Sequence, residues 1–286
     1  MLQQPIRLVE CPRDAMQGWK QMISTEKKVA YINALLQVGF DTIDFGSFVS
    51  PKAIPQMADT KQVLTRLDLT SSKSKLLAII ANERGAEDAV VYDEISYLGF
   101  PLSVSETFQQ RNTNSSIAES LKRVEAIQEL CIKHSKQLVV YLSMGFGNPY
   151  GDPWSEEIVY EQAVKLSQLG IGTISLADTV GVAGAEQVNR VTGYLLKELN
   201  NIEIGVHLHS NNRNWKEKLE AAYSVGCRRF DSALLGIGGC PMADDELVGN
   251  MDTLKILGYF EGKEAFQLNA EALQQSLHLA TEIFNR

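Results

Sequence analysis

Strand-like and helix-like segments alternate along this chain from end to end, and that alternation limits its possible folds more than any other feature. Runs rich in Val, Ile, Leu, Phe and Tyr predict strands over residues 6–10, 42–48, 75–81, 95–103, 137–144, 173–178, 203–210 and 229–239. Several are nearly continuous apolar runs, as expected of parallel strands covered on both faces. Helix signals lie between them. Segments 25–38, 115–134 and 155–169 open on Ser or Thr, and Gly39, Gly170 and Gly226 stand just behind segments 25–38, 155–169 and 215–225.

Eight strands, each followed by a helix, predict a single (β/α)8 TIM barrel over residues 1–286, with an extra C-terminal helix at 269–285 covering the barrel or a partner subunit. A doubly wound sheet is the structural alternative. It would usually place a glycine-rich phosphate turn after the first strand, where this chain has Cys11-Pro12-Arg13-Asp14.

The size and composition, 286 residues with 44% hydrophobic and 22% charged, suit a large core without staples. A net charge of −8 disfavours nucleic acid, which needs a basic face, but leaves room for an anionic small molecule. The opening MLQQPIRLVE lacks the pattern of a secretory signal. No apolar run approaches the roughly 20 residues a bilayer needs. The expectation is a cytoplasmic protein with no membrane partner. Cys11, Cys131, Cys227 and Cys240 are too irregularly spaced for a disulfide framework. Cys131 and Cys227 read as small core residues.

In a barrel of this kind, chemistry gathers at the C-terminal ends of the strands. The seventh strand ends Val206-His207-Leu208-His209-Ser210. Side chains two apart share a strand face, so both imidazoles point to the mouth, a pattern that favours a divalent metal. The first strand ends in Arg13 and Asp14, beside the eighth and so near the seventh. Asp14 supplies a carboxylate to the histidines, and Arg13 a positive fork for a carboxylate or an enolate oxygen. The eighth strand runs into Gly236-Ile237-Gly238-Gly239-Cys240-Pro241, where Cys240 reads as a proton donor or nucleophile and Asn250 as a neutral oxygen ligand. Asp44, Asp178 and the loop 147–150 stand at other strand ends. The amide-rich loop 106–116 suits ligand contact or helix capping. Asn112, Asn114, Tyr141 and Asp178 are the candidates for binding substrate.

The segments VECPRDAMQ, FGSFVSPKAIPQMADT, SETFQQRNTNSSIAESL, SLADTVGV, VHLHS and ALLGIGGCPMADDELVGN together resemble the 3-hydroxy-3-methylglutaryl-CoA lyase group of the metal-dependent aldolase/lyase barrels. The cysteine loop is specific to the lyase branch, while R-D and H-x-H are shared more widely. The resemblance implies a Mg2+ or Mn2+ site at Asp14, His207, His209 and Asn250, an enolate-stabilising Arg13 and a catalytic Cys240. It also implies an acyl-CoA substrate cleaved to acetyl-CoA and acetoacetate, and allows a homodimer. His207 or Asp44 would serve as general base.

The sequence departs from that pattern near the mouth. Cys11 and Ala15 replace glycines, Asp44 a glutamate, Ser210 an aspartate and Asn148 a cysteine. The stretch from Cys240 to Asn250 is one residue longer, and Leu254 stands near the place of a glutamate. These changes predict weak cleavage of 3-hydroxy-3-methylglutaryl-CoA relative to another hydroxyacyl-CoA. The alternatives are a related acyl-CoA lyase, an aldolase or condensing enzyme acting on a 2-oxo acid, and a non-catalytic barrel.

Overall fold

A computed structural model describes residues 4–239 and 248–285. Eight parallel strands close into one barrel: β1 (Arg7–Glu10), β2 (Thr42–Ser47), β3 (Lys75–Ile79), β4 (Ile95–Ser103), β5 (Gln137–Ser143), β6 (Thr173–Ala177), β7 (Glu203–His207) and, beyond a short β8 (His209–Ser210), β9 (Arg229–Ser232), which pairs with both β7 and β1. The strands are buried almost throughout, which explains their apolar runs.

The surrounding helices are α1 (Pro12–Gln17), α2 (Thr25–Leu36), α3 (Thr60–Leu64), α4 (Glu83–Val90), α5 (Glu106–Thr113), α6 (Ile117–Lys133), α7 (Glu156–Gln168), α8 (Ala185–Glu198), α9 (Trp215–Ser224), α10 (Thr253–Phe260) and α11 (Ala270–Ile283). The Ser24, Ser105, Ser116 and Ser155 side chains each accept a backbone N–H in the first turn that follows. Ser116 and Glu119 form a full capping box. The C-terminal helix α11 lies on α2, where the Phe284 ring meets Trp19 and Tyr31 edge-on. It therefore covers the barrel of its own chain.

Three expected elements differ. The seventh strand stops at His207. The chain then leaves the barrel, and β8 pairs antiparallel with β10 (Gly249–Asn250), placing Asn250 opposite His209. The last barrel strand ends at Ser232, because the chain then turns over Leu234–Gly236, where Leu235 and Gly236 take positive φ, and Gly238 and Gly239 continue the turn. The polar segment 106–116 is mostly helix: Ser105 caps α5, so its hydroxyl and amide residues follow a capped turn. No helix among the described residues is long and apolar enough to cross a membrane.

Candidate active site

The C-terminal mouth holds a cavity of about 440 Å³. Arg13, Asp14, His207 and His209 make one side of it. Val49, Ile54, Ile79, Pro101 and Phe108 contribute an apolar wall.

Asp14 reaches the mouth because Pro12 starts α1 directly behind β1, where a missing N–H costs nothing. Its Oδ1 accepts from Arg13 Nη1 at 3.0 Å and from Gln17 Nε2 at 2.7 Å. Its Oδ2 accepts from Asn250 Nδ2 at 2.7 Å. Burial opposes the carboxylate, but the Arg13 charge, the two histidines and the Asn250 donor together hold its pKa below the ordinary value. Gly238 abuts this pair: a Cβ there would fall 2.2 Å from Asn250 Nδ2 and 2.9 Å from Asp14 Oδ2, so only glycine fits.

One donor atom each from Asp14, His207 and His209 lies within 4.8 Å of the others. The Nδ1 atoms of both histidines are occupied elsewhere: His207 Nδ1 lies 3.1 Å from Asp231 Oδ2, and His209 Nδ1 lies 3.0 Å from the Thr179 carbonyl. His209 Nε2 is buried and has no partner among the described residues. A buried orphan nitrogen calls for a partner. Two imidazoles fixed through Nδ1, with a carboxylate beside them, make a donor set with outer support that is able to hold a divalent cation. Burial, aided by the neighbouring His207, lowers the His209 pKa to about 4, leaving the ring neutral and able to ligate. For His207 burial acts in the same direction, but the Asp231 carboxylate outweighs it and raises the pKa.

Arg13 is fixed by two carboxylates. It donates Nε to Asp44 Oδ2 at 2.9 Å and Nη1 to Asp14. Its charged form is favoured by both, although burial alone would disfavour it. Asp44 is fully buried behind Arg13 and is not part of the cavity lining.

The remaining candidates separate. Asn112 and Tyr141 line the cavity, with the Tyr141 ring edge-on to His207 at 5.9 Å and its hydroxyl without a partner among the described residues. Asn114 does not line it. It is the exposed, left-handed C-cap of α5 and accepts a hydrogen bond from Gln110. Asp178 does not line it either: its carboxylate is buried in an ion pair with Lys218. Asn250 meets the cluster through Asp14, and its amide nitrogen, which also faces the Ile237 carbonyl, is the atom that does so. Cys240 lies outside the described residues.

None of the departures at Asp44, Ser210, Asn148 and Leu254 lines this cavity. Ser210 donates to Met251 Sδ, Asn148 closes its own loop against Tyr150 and Asp152, and Leu254 packs on the core. Asp231, Thr179 and Gln17 also support the cluster, and no sequence pattern marks them for it. Alternation along β9 would have put Asp231 on the face of Arg229, but nothing in the sequence links it to His207.

The HMGL-like family matches residues 7–276. A 3-hydroxy-3-isohexenylglutaryl-CoA/hydroxy-methylglutaryl-CoA lyase from Pseudomonas aeruginosa is 32% identical over 92% of this chain and 87% of its own. An (R)-citramalyl-CoA lyase from Chloroflexus aurantiacus is 30% identical over 88% of this chain and 81% of its own. Among solved structures, an HMG-CoA lyase from Acinetobacter baumannii in complex with coenzyme A and 3-methylmalate superposes with a TM-score of 0.89. It is 32% identical, covering 98% of this chain and 91% of the other.

Proposed function

The chain belongs to the HMGL-like family of lyases, and on that premise we propose that it cleaves 3-hydroxy-3-methylglutaryl-CoA, or a close hydroxyacyl-CoA, to acetyl-CoA and a 3-oxo acid, acetoacetate for the methyl substrate. The observation that carries this reading is the placing of Arg13 and the Asp14–His207–His209 cluster on one side of a cavity with an apolar wall. Acyl-CoA relatives, and a structural neighbour that binds coenzyme A, support the thioester.

Asp14, His207 and His209 would hold Mg2+ or Mn2+. When bound, the cation would supply Lewis acidity that lowers the pKa of the substrate's tertiary hydroxyl. Neither expected base is free for that proton: His207 has Nδ1 on Asp231 and Nε2 committed to the cation, and Asp44 does not line the cavity, so the proton leaves to water at the mouth. Breaking the carbon–carbon bond leaves its electron pair on the thioester as an enolate. Arg13, pre-oriented by Asp44 and Asp14, faces the enolate oxygen without reorganising. Cys240 returns a proton to the enolate carbon. Val49, Ile54, Pro101 and Phe108 receive the alkyl branch and exclude water.

The test is release of acetyl-CoA from a panel of hydroxyacyl-CoA esters with Mg2+ or Mn2+. Cleavage of one member with kcat/KM above roughly 10⁴ M⁻¹s⁻¹ is the expected result. Thioester turnover with none of them, alongside aldol cleavage of a 2-oxo acid, would overturn the reading.

A further inference from the structure

Lys218 has no part in the chemistry above, yet it is fully buried in α9. Its Nζ donates to Asp178 Oδ2 at 2.7 Å, to the His209 carbonyl at 2.9 Å and to the Gly181 carbonyl at 3.4 Å. An ammonium carries three N–H groups, and all three are engaged here. The acceptors come from two separate segments. Asp178 and Gly181 belong to the turn behind β6, closed by the Gly181 N–H on the Asp178 carbonyl, while His209 begins β8.

The same two segments meet again at the imidazole, where His209 Nδ1 faces the carbonyl of Thr179, inside that turn, at 3.0 Å. Asp178 is anchored on its other sides: its N–H donates to the His207 carbonyl, and its Oδ1 accepts from the Ala183 N–H at 3.1 Å. His209 is thus held at its backbone by Lys218 and at its ring by a turn that Lys218 also grips. Stability alone is a poor reason for such a pair, because apolar replacements of buried ion pairs are often neutral or stabilising.

We propose that Lys218 is a positioning residue of the cation site. Its ammonium ties the 178–181 turn to the His209 carbonyl and so sets the direction in which His209 offers Nε2. This inference rests on the reading that Asp14, His207 and His209 hold a divalent cation.

The experiment titrates the whole chain with Mn2+, following free Mn2+ by electron paramagnetic resonance. Lys218→Met keeps the stem and removes the donors. The double variant Lys218→Met/Asp178→Asn also removes the carboxylate left unpaired, while keeping an acceptor for the Ala183 N–H. Both variants are expected to bind Mn2+ about 10- to 100-fold more weakly, the usual worth of a group that orients a ligand. The double variant should melt close to wild type. Wild-type Mn2+ affinity in either folded variant overturns the proposal. So does affinity lost in the single variant and regained in the double, since the unpaired Asp178 charge would then be the cause. A double variant that does not fold also overturns it, because the pair would then serve the fold. A wild-type chain that takes up no Mn2+ removes the cation reading itself, whereas a binding wild type with equally binding variants removes only the role of Lys218.

Discussion

Asp231 Oδ2 lies 3.1 Å from His207 Nδ1, the second ring nitrogen of a residue whose imidazole lines the cavity. The carboxylate fixes the ring and raises its pKa above the ordinary 6.5, while burial lowers that of His209 to about 4. Protons and a cation compete for His207 but hardly for His209. Mn2+ affinity is therefore expected to fall as pH drops through the elevated His207 pKa. Asp231→Ala should move that fall to lower pH and weaken binding about 10- to 100-fold at pH 8. Unchanged pH dependence in the variant would show that Asp231 does not control His207.

Arg13 touches Asp14 through one nitrogen and Asp44 through two. A lysine cannot reproduce that fork. Arg13→Lys should lower kcat by about 10²- to 10³-fold, the range for one lost enolate-stabilising donor. Mn2+ affinity should change less than about tenfold, since Asp14 keeps its Gln17 and Asn250 donors. Equal losses of turnover and Mn2+ affinity would mean that Arg13 serves Asp14 rather than the enolate.

Glu10 is fully buried at the end of β1, where burial pushes its carboxyl up to about 8 despite donors from Thr253 and the Leu234 N–H. Its folded pKa lies above the unfolded value of 4.5, so the folded state binds the extra proton between these limits. That contribution is complete below pH 4.5 and is lost as pH rises through about 8. Glu10→Gln should remove this decline from the pH dependence of Tm. Parallel curves for wild type and variant would show that Glu10 is ionised throughout.

The cysteines should separate sharply. Cys131 and Cys227 are buried, and burial pushes both thiols up to about 12, so neither offers a thiolate near neutrality. Their serine variants should turn over close to wild type. Cys240→Ser should lose about 10²- to 10⁴-fold in turnover, the usual worth of a general acid, with little change in Mn2+ affinity. Similar losses for all three would point to damage to the fold.

Changes outside the cavity lining can matter for rate without touching substrate. Asp44 holds Arg13 with a shorter arm than the glutamate of the lyase pattern, and displacement of about 1 Å can cost about 10²-fold. Asp44→Glu is therefore expected to change kcat with 3-hydroxy-3-methylglutaryl-CoA more than KM. A change confined to KM would place Asp44 in contact with substrate.

The sequence by itself determined the barrel and its working end. Continuous apolar runs, helix caps and trailing glycines act locally, so strand number, strand order and the mouth position of Arg13, Asp14, His207 and His209 could be read along the chain. Even there, the spacing of residues 207 and 209 carried only part of the answer, because β8 leaves the barrel to pair with β10. What only the tertiary structure decided are contacts across large separations. Asn250 meets Asp14, Asp231 meets His207, and Lys218 in α9 grips the carbonyl of His209 and the carboxylate of Asp178. Asp178 reads as a mouth residue from its place at a strand end, yet its partner lies 40 positions away. No local propensity encodes such a partner. Burial makes an unpaired charge or imidazole nitrogen costly, and closure of the barrel chooses which distant group relieves it.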